Sequence, residues 1–454
     1  MATTRRPHRF VREQVRATYR RGPRSLLNLS AYAFGISAVW TAVGSVILQY
    51  RVLDISGEES KNTYLGMIAL AGLVVAAVVQ PISGAVSDKL ASSWGKRLPY
   101  IVAGNLGLAL TAPFLAIADS IETLLLTVCV MQVFGNASQG PANALLTDHI
   151  PSDARGAGSG ALNLARTAGA GAVVVLVLVL MGNYEQGAEW WLWLSLSIPI
   201  FILLMTTAWT FGALKPRRPM LNLTLGPVSR LAEPPPSGQE QEPRRSSFHW
   251  LLTAMAMVVA SLSAMQLYAL YFVRDKVGLE NAAHGTALLV VVVGLTTALT
   301  VYPFGKLSDR VGRTPPLYAA TALVGSGALM LLVIESMLGL LLVGALVGLG
   351  TSLFLSSAWA LLTEVVPEKS AARSMGMTGL ATLAGSGLAR VAGYPIDVLN
   401  AEAPNLGYNV MLAAIVLLLL LATIPLSIAG RNRGPTAGTG QTFGQGQASS
   451  PSRI

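Results

Sequence analysis

Apolar residues along this chain fall into runs of about 20, each bounded by short polar stretches, and a run of that length crosses the hydrocarbon core of a bilayer as one helix. Twelve such runs can be marked: 26–50, 62–86, 99–118, 121–147, 158–181, 190–214, 249–272, 286–304, 317–334, 337–362, 375–399 and 408–428. A stretch holding Pro234-Pro235-Pro236, Gly238 and mixed charge separates the sixth from the seventh, a composition that favours extended, unpacked chain. The pattern therefore predicts an all-α membrane protein of two six-helix bundles, 26–214 and 249–429, joined by a cytoplasmic linker 215–248. A basic tail (1–25) precedes them and a Gly/Ser/Gln/Thr-rich tail (430–454), expected to be disordered, follows.

The halves repeat each other. Gly305-Lys306-Leu307-Ser308-Asp309-Arg310-Val311-Gly312-Arg313 lies between two apolar runs and reads as a tight hydrophilic turn. An expanded version, Gly84-Ala85-Val86-Ser87-Asp88-Lys89 followed by Gly95-Lys96-Arg97, lies at the matching place in the first half. Likewise Ala144-Leu145-Leu146-Thr147-Asp148-His149-Ile150-Pro151 parallels Ala360-Leu361-Leu362-Thr363-Glu364-Val365-Val366-Pro367, with Arg155 or Arg373 beyond. Two sequential bundles related in this way predict a pseudo-symmetric transporter with its solute site between the halves near the midplane.

Composition agrees with lipid as the solvent: 52% of the 454 residues are hydrophobic, 12% are charged, and the mean hydropathy is +0.55. The formal charge of +10 raises nucleic acid as a partner, but the basic residues flank apolar runs and form no groove interleaved with aromatics. Most of the lysine and arginine falls in the two tails, the linker and alternate loops, so the positive-inside rule puts both termini in the cytoplasm of a plasma (inner) membrane. The opposite loops hold only Arg51, Lys61, Arg274 and Lys276 among several acids. The first run is too long, and lacks the small-residue cleavage site, for a signal peptide. A single cysteine, Cys129, excludes an intrachain disulfide and a thiolate cluster, and His149 and His284 have no partners for a metal. Neither a phosphate loop nor a nucleophile elbow is present, so no enzyme activity and no cofactor are expected.

Polar residues stranded in apolar helices mark the cavity. Gln132, Asn136, Gln139 and Asn143 share one face of the fourth helix. Ser37, Thr41 and Ser45 make a weaker stripe on the first, the seventh carries Gln266, Tyr268 and Tyr271, and the tenth has Ser352 and Ser356. Polar groups at such depth need partners in the bundle or a wet cavity. Arg166 and Arg390 are costlier still, about 2.5–3.5 kcal/mol each at mid-membrane on an insertion scale. Asp397 shares a helical face with Arg390 and is the expected partner for it. Arg166 has no acid in its own helix, which points to a cavity role or a partner on another helix. Asn136, Gln139, Asn143, Arg166, Gln266 and Tyr268 are thus the candidate substrate-binding residues, suited to a hydroxylated or anionic solute.

The two repeated loops resemble the signature loops of the major facilitator superfamily. Within it, the first half resembles the sucrose/proton symporter branch and its bacterial glycoside-transporter relatives. Three passages carry that likeness: Ser87-Asp88-Lys89 with Trp94-Gly95-Lys96-Arg97-Leu98-Pro99-Tyr100-Ile101, then Gln139-Gly140-Pro141-Ala142-Asn143-Ala144-Leu145-Leu146-Thr147-Asp148, and Tyr271-Phe272-Val273-Arg274-Asp275. The resemblance implies Asp148 as a proton-carrying carboxylate with Arg155 as its charge partner, and Asp275 as a second important acid. A competing reading makes Asp148, with Asp88, Arg97, Asp309, Arg313, Glu364 and Arg373, part of an inward-closing gate. The second helix, 62–86, lacks the acids that sodium-coupled relatives use, and the fifth lacks the glycine-proline motif of drug/proton antiporters. The expectation is a monomeric transporter working by alternating access, proton-coupled, taking up a sugar or glycoside. An exporter of amphipathic compounds and a non-transporting scaffold or sensor of the same fold are the alternatives.

Overall fold

The computed structural model describes residues 23–89, 92, 94–149, 155–184, 188–214, 242–279, 281–365 and 371–431. The expected basic tail, most of the linker and the C-terminal tail lie outside these residues. The first bundle begins with α1 (Pro23–Ala42), which continues through a π-helical turn (Val43–Ile47) into Leu48–Ser56. It goes on with α2 (Lys61–Lys89), α3 (Leu98–Thr111 and, after a short turn, Phe114–Ile117), α4 (Ile121–His149), α5 (Arg155–Tyr184) and α6 (Trp190–Leu214). In the second bundle α7 runs Glu242–Leu267, breaks at Tyr268, and resumes as Ala269–Phe272 and a π-helical turn, Val273–Val277. It is followed by α8 (Ala282–Val311), α9 (Thr314–Leu331), α10 (Met337–Val365), α11 (Ala371–Val391 and Gly393–Glu402) and α12 (Leu406–Arg431).

Ten of these twelve columns are long and apolar enough by themselves to cross a membrane. The other two are α9, which opens on Thr314-Pro315-Pro316, and α11, which carries Arg390 and Asp397. Two boundaries differ from the hydropathy reading. The expected turn 305–313 is mostly helix, because α8 runs on to Val311 and only Gly312, at φ +89°, turns the chain. Beyond the hydrocarbon a helix keeps its own backbone bonds whether its side chains are polar or not, so hydropathy marks the lipid boundary and misses the helix end. For the same reason α7 starts at Glu242, inside the expected linker.

The same packing recurs in both halves. A Cβ at Gly169 of α5 would lie 2.2 Å from the Phe34 carbonyl oxygen of α1, and one at Gly385 of α11 would lie 2.3 Å from the Ala256 carbonyl oxygen of α7. These glycines have the same separation in the chain as Ala144 and Ala360, so the repeat extends to backbone contacts. Close approach through small residues is how membrane helices gain contact where lipid supplies no hydrophobic drive.

The halves meet along α2 with α11 and α5 with α8. At the end distant from the chain termini the backbones touch: a Cβ at Gly66 would lie 2.2 Å from the Arg390 carbonyl oxygen, and one at Gly393 2.0 Å from that of Asn62. Toward the terminal end they part. Gly160 of α5, Gly294 and Gly305 of α8, and Gly376 and Gly379 of α11 have open space where a Cβ would be. Among the described residues, the closest backbone contacts between the halves thus lie at the distal end.

Gly169→Ala and Gly385→Ala should each destabilise the fold by about 1–3 kcal/mol through overpacking. Thermal unfolding of the purified protein in detergent reads this, and unchanged stability in both would contradict the close approach.

Candidate functional site

Three polar constellations are built on this frame. The first is the distal seal. Lys61, at the start of α2 with only 4% of its side chain exposed, reaches Glu58 at 2.5 Å and crosses to Asp275 of α7 at 2.7 Å. Arg274 crosses back to Glu58 at 2.8 Å. Tyr408 of α12 donates to Asp275 at 2.7 Å, and Lys276 binds Asn409. One layer in, Asn62 donates its amide to Asp397 of α11 at 2.8 Å, and the Thr63 backbone N–H donates to the same carboxylate at 2.6 Å. Between α1 and α7, Gln49 donates to the Leu267 carbonyl and Tyr271 to the Gln49 carbonyl, both at 2.5 Å. Asp275 therefore belongs to a charged cross-half lock. Its side chain is presented by a π-helical turn, a local widening that often marks functional positions.

The second constellation lies at the terminal end of the first half. Arg97 binds Asp88 at 2.5 Å, Asp148 at 3.0 Å, the Ser87 hydroxyl at 2.6 Å and the Gly84 carbonyl at 3.3 Å, tying α2 to α4. Its planar fork serves all four acceptors, which a lysine cannot match. The second half has a counterpart, Arg313 with Asp309. Asp148 is thus held by Arg97, not shown against Arg155. The side chains of Arg155, Glu364 and Arg373 lie outside the described residues, so their expected pairings do too.

The third is a cavity of about 160 Å³ inside the first half, lined by Tyr32 of α1, Asn143 of α4, and Asn163 and Arg166 of α5 among apolar residues. Arg166 donates to the Asn143 side-chain oxygen at 2.8 Å. The helix-spanning partner expected for Arg166 is therefore a neutral amide, and no acidic partner for it is found among the described residues. Tyr32 shares a 2.9 Å hydrogen bond with Ser138 behind the cavity. The guanidinium supplies donors only and each amide both a donor and an acceptor, while the Tyr32 hydroxyl is engaged by Ser138.

The amide stripe of α4 does not act as one surface. Asn143 faces the cavity, but Asn136 is 4% exposed and donates to the Gln132 carbonyl at 2.9 Å and to its side-chain oxygen at 2.7 Å, while Ser83 of α2 bonds the Asn136 carbonyl. It packs α4 against α2. Gln139 is half-buried and does not line the cavity. Gln266 is exposed and lies 3.5 Å from Ser45 of α1. Tyr268 is fully buried at the α7 break and donates to the Arg390 carbonyl at 3.2 Å. The expected Arg390–Asp397 pair is replaced: Arg390 donates to the carbonyls of Ala69 (3.1 Å) and Ser386 (2.6 Å), and Asp397 is bound by α2. Shared helical face made the pair plausible, but both side chains point across the seam. Asn62, Tyr408 and Tyr32 were not singled out from sequence. An aromatic or an amide at a helix end carries no periodic signal, whereas Asp397, an acid in an apolar run, did.

A two-bundle, twelve-column helical protein with one end sealed by breakable cross-half contacts is a membrane transporter in architecture. The chain belongs to the Major Facilitator Superfamily, whose family model matches residues 26–389 and 279–449. It is an integral membrane protein of a transporter family and not an enzyme. Among curated relatives, the sucrose transport protein SUC4 of Arabidopsis thaliana is 29% identical over 149 residues, 29% of this chain and 28% of that one. The multidrug resistance protein MdtG of Citrobacter koseri is 23% identical over 287 residues, 63% of this chain and 65% of the relative. The inner membrane transport protein YajR of Escherichia coli is 29% identical over 125 residues, 27% of each. The matched segments thus cover less than two thirds of the length of each of these relatives. Among solved structures, a bacterial homologue of the human lysosomal transporter Spinster, inward-facing and occupied, aligns over 91% of this chain and 98% of its own with a TM-score of 0.64 and 17% identity. The peptide transporter POT with alafosfalin aligns over 92% and 99% with a TM-score of 0.69 and 15% identity, a likeness of fold.

Two outcomes follow. Arg97→Gln frees Asp88 and Asp148 together, so transport should fall sharply while solute binding to the purified protein is kept; full turnover would remove the gate role. At the distal seal, burial works to raise the Glu58 carboxyl, but Lys61 and then Arg274 prevail and hold it below the ordinary glutamate range. A lowered carboxyl stabilises the fold above its ordinary value, about pH 4.3, and loses that contribution as pH falls through the lowered one. The loss of thermal stability between pH 7 and pH 3 should therefore be shallower in Glu58→Gln than in the unaltered protein.

Proposed function

We propose that this chain is a secondary active transporter of the plasma membrane, with both termini cytoplasmic, that takes up a sugar or glycoside together with protons by alternating access. The observation that carries the reading is the cavity of Tyr32, Asn143, Asn163 and Arg166 in the first bundle. A guanidinium and two amides suit the hydroxyl and ring oxygens of a sugar, each contact worth roughly 0.5–1.5 kcal/mol as a net hydrogen bond. The positive-inside rule makes the terminal end cytoplasmic. The sequence likeness to the sucrose transporter supports the solute class.

For coupling, the two acids to weigh are Asp148 and Asp275, each held by a cation on another helix, Arg97 and Lys61. A carboxylate whose cationic partner moves away as the halves rock gains affinity for a proton, and regains its charge when the partner returns. Asp275 fits this better, because its partner lies in the other half and must leave when the distal end opens.

Export of amphipathic compounds is the second reading. It rests on the multidrug resistance relative, which matches 63% of this chain against 29% for the sucrose transporter.

Proteoliposomes with an acidic exterior and a panel of labelled sugars decide between them. Sugar-stimulated proton entry supports uptake; efflux of a cationic dye under the opposite gradient, with no sugar response, supports export; neither supports a scaffold. On the uptake reading, Asn143→Ala and Arg166→Lys should each weaken sugar binding by about 0.5–1.5 kcal/mol, whereas Asn136→Ala should lower stability and leave affinity unchanged. Normal affinity in both cavity variants would remove the cavity from the site.

A further inference from the structure

The contacts between α2 and α11 have a regularity that the charges of α11 alone do not suggest. On α11, Asp397 and Arg390 stand two turns apart, about 10 Å along the helix. On α2, the groups they bind stand two turns apart as well: the Asn62 and Thr63 N–H groups at the distal start, and the Ala69 carbonyl further in. The helices run in opposite directions, so the two pairs come into register. Between them Gly66 and Gly393 let the backbones touch, since a Cβ at either would fall within 2.2 Å of a carbonyl oxygen on the other helix.

We propose that Asp397 is the positioning residue of the distal gate. Its carboxylate caps the N-terminus of α2 across the seam, and with Arg390 it clamps α11 to α2 only while that end is closed. The first turn of any helix leaves N–H groups without intrahelical partners, and these N–H groups favour a negative charge. α2 has no acidic residue in its own first turn. The other half supplies one instead. Asp397 accepts from the Thr63 N–H at 2.6 Å, the Asn62 side-chain amide at 2.8 Å and the Asn62 N–H at 3.3 Å, and is 8% exposed. Arg390 answers at the other point with a charge-assisted bond to a carbonyl.

Apart from the Asn62 amide, the clamp uses backbone groups of α2, so it depends mainly on where that helix stands. Opening the distal end costs Asp397 all three donors and Arg390 its α2 carbonyl in one movement. Tyr408 couples the clamp to the charged lock outside it, since its hydroxyl contacts the Asn62 amide at 3.2 Å and Asp275 at 2.7 Å. The proposal rests on the alternating-access reading but not on the solute or its coupling ion.

The test reads conformation without substrate, so a failed uptake assay and a failed clamp are told apart. In the full chain carrying Cys129→Ser, spin labels are placed through Glu59→Cys and Glu402→Cys at the distal end, or Lys89→Cys and Arg310→Cys at the terminal end. Asp397→Asn, which replaces one accepting oxygen by a donor facing other donors, should lengthen the distal distance and shorten the terminal one. Gly393→Ala, which wedges the seam with the carboxylate intact, should move both distances in the same directions. A residue that only supports its own bundle would leave both distances unchanged, and that result in the two variants overturns the proposal. In the unaltered protein the Thr63 amide should be protected from hydrogen exchange despite its place in the first helical turn. Rapid exchange there overturns the clamp whether or not the variants fold.

Discussion

A polar group inside hydrocarbon has no water to fall back on, and the arrangement of this protein follows from where each such group finds its partner. Within a half, the partners are local and permanent. Asn136 is satisfied by Gln132, Ser138 by Tyr32 and the Gly135 carbonyl, and Asn105 of α3 donates to Thr207 of α6 at 2.7 Å. Between the halves, the partners are borrowed: Asp397 takes the N–H groups of α2, Lys61 takes Asp275, and Arg390 takes the carbonyl of Ala69. The first set ties helices together within a bundle. The second can be exchanged for water when a vestibule opens, which is the property a gate requires.

The two ends are built differently. At the distal end the seal has a charged outer ring and a glycine-lined inner clamp, so backbone contact and electrostatics act in the same place. At the terminal end of the first half, Arg97 gathers Asp88 and Asp148 within one bundle. That cluster ties α2 to α4 through Arg97 at the start of α3.

The solute cavity sits to one side of the seam. Arg166 is paired there with a neutral amide, the side-chain oxygen of Asn143, and no acidic partner for it is found among the described residues.

Much of this was determined by the sequence alone. Apolar runs of bilayer length, the grouping of six and six and the paired motifs around Asp88 and Asp309 depend on local composition and repeat, and lipid imposes one solution on them. Arg166 stands out in the sequence because a charge in an apolar run is costly, whereas Asp275, between Arg274 and Lys276, was pointed to only by the family resemblance. What only the tertiary structure decided was pairing. Helical periodicity puts Asp397 and Arg390 on one face and so suggests a bond between them, and it places Asn136 and Asn143 together on α4. In the folded protein Asp397 and Arg390 each reach α2, and Asn143 takes Arg166 of α5 while Asn136 stays with Gln132 of its own helix, so cross-helix partners are set by which helix lies opposite and at what height. Backbone N–H and C=O groups, the ones that Asp397 and Arg390 bind, are the same at every position and leave no trace in the order of side chains.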